Sequence, residues 1–171
     1  MLTPRQAAEA LRRLQYLRSQ AVLSNMTLVL MWARDRAVNH YMYPQAGPEV
    51  KPRRTKLTHR SGALGRSTKV NPPRPVGNTV VGGLITGGPT APYGPIHEFG
   101  GRTRPHVIRP LRGNWLRWKG PKGPVFAREV NHPGSTIPPR PRIRPALFDA
   151  QKRLTRDLRR DFNKAQRAVG L

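Results

Sequence analysis

Five histidines (His40, His59, His97, His106 and His132) and eight carboxylates are the side chains of this 171-residue chain best suited to proton transfer or metal binding. Zinc needs three or four ligands converging on one point, supplied most readily by cysteines or by closely spaced histidines on a helix. The chain has no cysteine and no His-x-x-x-His pair, so its histidines read as turn or interface residues and no metal site is expected. His97 and Glu98 resemble an acid–base couple, but neighbours on a strand point to opposite faces and cannot serve one substrate. Glu98 therefore reads as a partner for one of the many arginines. Gly82-Gly83, Gly87-Gly88 and Gly100-Gly101 lack the Gly-Lys-Ser/Thr ending of a phosphate loop, and tight turns or a bulge explain them better. Ser135 follows glycine in a proline-rich loop, and Gly-x-Ser-x-Gly is absent. These patterns predict a protein that is not an enzyme, with no catalytic residue and no cofactor.

Lysine and arginine number 32 against 8 acids, a formal net charge of +24. Self-repulsion of that size disfavours a lone compact monomer in dilute salt, so a polyanion or an acidic protein partner is expected. Contact with phosphates, unlike base readout, needs only cations spread over a surface. No acid occurs between Glu49 and Glu98, and within that stretch Lys51, Arg53, Arg54, Lys56, Arg60, Arg66 and Lys69 are the residues expected to face nucleic acid. Trp115 and Trp118 stand among Arg112, Arg117 and Lys119. Three positions apart, they would face opposite sides of a regular strand, and a core or inter-subunit role is preferred to base stacking.

These residues must be held by elements that the sequence also marks. Thr3, Pro4 and Gln6 make a Thr-x-x-Gln capping box at the start of a helix, and Ala7, Leu11, Leu14, Ala21, Leu28 and Trp32 roughly follow one of its faces. Pro44 ends it by Tyr43. Two helices or one long helix held by its neighbours would both fit, and the second is preferred. Residues 1–44 thus form an N-terminal helical segment, 45–75 a basic loop or arm without packed elements, and 76–171 a sheet plus C-terminal helix, within a single domain. Val76 to Thr86, His106 to Leu111, Trp115 to Trp118 and Val125 to Val130 read as an antiparallel meander of about four strands, with dense turn chemistry from Lys119 to Pro124. His132 to Pro145 is extended, and the last helix is expected to start at Pro145. Its stripe is Leu147, Leu154, Leu158, Phe162, Ala165 and Val169, opposite a face bearing Lys152, Arg153, Arg156, Arg159, Arg160, Lys164 and Arg167. The expected class is α+β, a long N-terminal helix and a C-terminal helix packed on a small sheet, with long basic and proline-rich loops. The opening residues lack the apolar centre of a secretory signal, and Ala21 to Ala33 is shorter than the roughly 20 residues of a bilayer span. A cytosol-like compartment and no membrane partner are expected.

Four segments also resemble a known pattern. His59-Arg60-Ser61-Gly62-Ala63-Leu64-Gly65-Arg66-Ser67 is similar to the R-T-G-x-L-x-x-S segment of a family of tailed-bacteriophage tail-completion, or head–tail joining, proteins. Tyr93-Gly94-Pro95-Ile96-His97-Glu98-Phe99-Gly100-Gly101 resembles that family's Y-A-x-x-x-E-F-G signature. Ile108-Arg109-Pro110 and Trp115-Leu116-Arg117-Trp118 resemble its I-x-P and L-x-F hairpin. His132-Pro133-Gly134 and Pro139-Arg140-Pro141-Arg142-Ile143-Arg144-Pro145-Ala146-Leu147 resemble x-P-G and R-P-F-L-x-P-A, which lead into the last helix. The likeness spans about residues 55 to 150. Ser61 stands for the usual threonine, Gly94 for alanine, Trp118 for phenylalanine and Arg142 for an aromatic residue.

The resemblance implies a structural virion protein of α+β fold, assembled in the host cytoplasm into a homo-oligomeric ring, usually a hexamer, at the head–tail junction. Other phage neck and tail proteins would be its partners, with double-stranded DNA passing non-specifically through the channel. Tyr93, Glu98, Phe99, Gly100, Trp115, Trp118, Pro139, Pro141 and Pro145 would then serve the fold and the ring contacts. The charge and loops also suit a cellular sequence-independent nucleic-acid-binding protein, such as a ribosome-associated one. A metal-dependent nuclease is the enzymatic rival.

Overall fold

The computed structural model describes residues 3–43, 57–58 and 61–169. Helix α1 (Pro4–Asp35) begins at the expected capping box: Thr3 Oγ1 accepts the Gln6 N–H at 3.3 Å, and Gln6 Oε1 accepts the Thr3 N–H at 2.9 Å. It is one long helix, passing through a π-helical turn at Arg36–His40 into strand β1 (Met42–Tyr43), which pairs in parallel with β2 (Leu57–Thr58). Then follow α2 (Ala63–Arg66), β3 (Lys69–Val76), β4 (Thr79–Ile85), α3 (Gly94–Phe99), β5 (Gly101–Arg102) and β6 (His106–Ile108). The chain continues with β7 (Leu116–Gly120), β8 (Gly123–Ala127), β9 (Val130–His132), β10 (Thr136–Ile137) and α4 (Ile143–Ala168). The class is α+β.

Three expectations change in detail. The strands do not join into one four-stranded meander. Among the described residues they form five separate two-stranded ladders: β1 with β2, β3 with β4, β5 with β10, β6 with β9 and β7 with β8. Prolines and glycines between the strands break the continuity that a wider sheet needs. Second, the reading of 45–75 as an arm without packed elements fails at Leu57–Thr58, where β2 pairs with β1 and Leu57 is buried, and again from residue 61 onward, where α2 and β3 form. β3 is proline-rich, and its register with β4 shifts between Asn71 and Arg74. Pro72 and Pro73 occupy that irregularity, where the ladder asks for no N–H.

Third, α4 packs chiefly along α1 rather than on a sheet. Val29 and Ala33 of α1 meet Ala150 of α4, with Trp32, Leu147, Leu154 and, from β4, Leu84 closing round them. Asn25 donates to Asp161 at 2.8 Å, and Arg36 bonds Asp149 at 2.9 Å, so polar ties pin the helix pair at two levels. A second cluster, Met42, Leu57, Leu64 and Ala91, fastens β1, β2 and α2 to the loop before α3. Both clusters are small. Leu11, Leu28, Met31, Phe99, Leu111, Phe126 and Phe148 all remain exposed. No helix among the described residues is long and apolar enough to cross a membrane.

Candidate functional site

Two places concentrate the residues singled out by sequence. The first is the junction where α3 meets the start of α4. Glu98 is 7% exposed, and its carboxylate accepts the backbone N–H groups of Arg142 (2.9 Å), Ile143 (3.1 Å) and Arg144 (2.9 Å). The first N–H groups of a helix have no partner within it and carry the positive end of its dipole, so a carboxylate there is doubly favourable. The next residue, Pro145, has no N–H at all. Every donor at this helix start is therefore satisfied or absent. α4 begins at Ile143 and not at Pro145 because its cap comes from 44 residues earlier in the chain.

Arg142 closes the junction from the other side. It is 2% exposed; Nη1 donates to Thr68 Oγ1 at 2.9 Å and Nη2 to Thr86 Oγ1. Thr68 Oγ1 in turn donates to the Leu64 carbonyl at 3.0 Å, which leaves the Thr86 hydroxyl to donate to Thr68. Burial lowers the pKa of the guanidinium, and the Glu98 carboxylate opposes that shift. His97 precedes Glu98 on α3 (a helix and not the strand expected), and its carbonyl accepts the Arg140 N–H at 2.7 Å. Burial first, then Arg140 and Arg142, depress the His97 pKa, so the ring is held neutral. Glu98 is thus a backbone cap first; its approach to the Arg144 guanidinium is a longer 3.8 Å.

Glycines allow this close assembly. Gly100 has φ +75°, and a Cβ on it would stand 2.9 Å from Pro139 Cδ. Gly62 opens α2 at φ +72°, a left-handed value that favours glycine.

The second place is the β7–β8 hairpin. Gly120 pairs with Gly123 around the two-residue turn Pro121-Lys122, and the register sets Trp118 opposite Val125 and Arg117 opposite Phe126. Alternation then gives two unlike faces. One carries Leu116, Trp118, Val125 and Ala127. The other carries Arg117, Lys119, Pro124 and Phe126; just beyond the ladder, Trp115 and Arg128 lie against one another. The Arg117 guanidinium lies 5.7 Å from the Phe126 ring centre and that of Arg128 5.1 Å from Trp115. Neither face is covered: Trp118 is 42% exposed, Trp115 53% and Phe126 56%.

The remaining candidates divide. Lys51, Arg53, Arg54, Lys56 and Arg60 lie outside the described residues, while Arg66 and Lys69 are exposed, Arg66 donating to the Ser61 carbonyl at 2.9 Å. Tyr93, Phe99, Pro139 and Pro141 are exposed; Glu98, Gly100 and Pro145 are used inside the junction. His106 and His132 stack across β6 and β9 with ring centres 5.0 Å apart. Among the described residues, no three His, Asp or Glu side chains gather as a metal site. Sequence reasoning missed Arg142, Thr68, Thr86, Phe126 and Arg128 as site residues. The last two were accessible from the Gly-Pro-Lys-Gly turn, which fixes the cross-strand pairs.

No family model, no curated protein and no solved structure matches the chain.

Proposed function

We propose that this chain is a structural virion protein of a tailed bacteriophage, one subunit of a ring at the head–tail junction that surrounds the DNA channel. The observation that carries the reading is the convergence of three of the four resembling segments. A Cβ on Gly94, in the second, would lie 3.3 Å from Leu64 Cδ1 in the first. Glu98 of the second caps the helix opened by the last, and Arg142 of the last returns to Thr68, just after the first. Three of the four resembling segments thus meet at one junction, which supports the reading that they belong to one shared fold.

The exposed apolar residues and the open edges of the short ladders are surfaces that neighbouring subunits would cover, by side-chain packing and by pairing with a further strand. The net charge of +24 per chain is offset in such a ring by a duplex carrying one negative charge per ~1.7 Å. In this reading the chain has no catalytic role. Six copies, contacts with other neck and tail proteins, and a place in the virion follow from the resemblance. Tyr93, Phe99, Trp118, Pro139 and Pro141 are the ring contacts, and the basic segment from Lys51 to Lys69 adds cations toward the DNA.

A cellular sequence-independent nucleic-acid binder is the second reading, favoured by the net charge of +24. Electron micrographs of the purified protein separate the two. Closed rings are expected; single small particles that co-purify with RNA would overturn the neck reading and support the other.

A further inference from the structure

Between Glu98 and Glu129 the sequence holds no acidic residue, but it holds Arg102, Arg104, Arg109, Arg112, Arg117, Lys119, Lys122 and Arg128. Glu129 itself is taken by Arg109 at 3.1 Å. The hairpin thus projects cations that have no carboxylate of their own segment to neutralise them. Its two faces divide by chemistry, with apolar side chains on one and Arg117, Lys119 and Arg128 on the other. Arg117 and Lys119, two apart on a strand, stand roughly 7 Å from one another, comparable to the step between successive phosphates.

The aromatic rings on this face have a role other than stacking. Trp115 and Phe126 each already hold a guanidinium against the ring, which leaves less ring face for a base. A cation–π contact at an exposed site steadies the guanidinium without cancelling its charge. The rings therefore hold the guanidinium groups in place, so less side-chain freedom is lost when they meet a phosphate.

We propose that the face bearing Trp115, Arg117, Lys119, Phe126 and Arg128 contacts the sugar–phosphate backbone of double-stranded DNA, without reading its sequence. The choice of duplex as the polyanion rests on the neck reading; the choice of surface rests on the hairpin's own geometry. An ordered hairpin thereby takes a contact that sequence placed only in the basic segment between Lys51 and Lys69.

The test compares wild type with Arg117→Gln/Lys119→Gln/Arg128→Gln and with a charge-matched variant, Arg5→Gln/Arg12→Gln/Arg13→Gln, on the exposed start of α1. Fluorescence anisotropy measures binding to two unrelated 20-base-pair duplexes over a salt series, and the mass of each assembly is measured in parallel. The hairpin variant should lose affinity tenfold or more beyond the matched variant, equally on both duplexes. Its salt slope should fall by about 2–3, near 0.9 for each phosphate released. Arg117→Lys/Arg128→Lys should recover most of the binding, because a phosphate needs charge and not a base-reading fork.

Equal losses in the two triple variants would overturn the proposal, since net charge alone would then explain binding. So would a preference for single strands that disappears in Trp115→Ala, which would mean stacking. Rings that form normally while the hairpin variant binds DNA as wild type does would sink the surface and leave the neck reading intact. Hairpin-dependent duplex binding by a protein that never forms rings would do the reverse.

Discussion

At the start of α4 and on the β7–β8 hairpin the same residue types meet opposite circumstances. Arg142 is enclosed, with two threonine acceptors and a carboxylate nearby, and its neighbours are fixed by it. Arg117 and Arg128 lie on an uncovered surface, steadied by rings and not by acids. A buried cation stripped of a partner is costly, whereas an exposed one is nearly neutral for folding. The junction should therefore govern whether the chain folds, and the hairpin what it binds once folded.

The largest expected effect comes from breaking the junction. Glu98→Ala strands three backbone N–H groups and leaves Arg142 without its counter-charge, so unfolding in urea should show a loss of about 3–5 kcal/mol. A loss under about 1 kcal/mol would mean that the junction does not hold α4. Arg142→Met should be milder, about 1–3 kcal/mol, because Glu98 keeps its three amides and the two threonines keep each other. If Arg142→Met proves the worse of the pair, the guanidinium and not the cap is the centre of the junction.

Acid should act on the helix pair next. Asp149 is held below the ordinary carboxylate range, first by the Tyr41 hydroxyl and then by Arg36, and Asp161 by Arg160 and Asn25. Their stabilising contribution is fully present above about pH 4, the value of a free carboxylate, and is lost as pH falls through the lower folded values. Thermal melts between pH 7 and pH 2 should show that decline, and Asp149→Asn/Asp161→Asn should flatten it. An unchanged acid limb would mean that these carboxylates do not set the acid response.

The smallest folding effect is expected on the hairpin. Trp118→Ser should alter the stability of the isolated chain by no more than about 0.5 kcal/mol, as surface substitutions do, yet reduce assembly. A large drop in stability with assembly unchanged would make Trp118 a residue of this chain's own core and erase the contrast between the two regions.

Much of the molecule is legible in the sequence where the cause is local. The Thr3–Gln6 box and the stripe of the last helix both depend on spacings of a few residues. What escapes depends on distance. Nothing near Arg142 announces that Glu98 will cap its helix, so Pro145 reads as the start. β3 escapes because Pro72, Pro73 and Pro75 contradict strand propensity; the register shift with β4 accommodates Pro72 and Pro73, while Pro75 stays in register opposite Val80. Glu98 reads as an arginine's partner because charge is visible in a sequence and the direction of a helix start is not.

Sedimentation velocity of the purified chain, with and without a short duplex, tests the central claim most directly. The expected result is a discrete species near six times the 19.2 kDa chain, retained or strengthened by the duplex and lost in Trp118→Ser. A single 19.2 kDa species at all concentrations, unaffected by DNA, would contradict it.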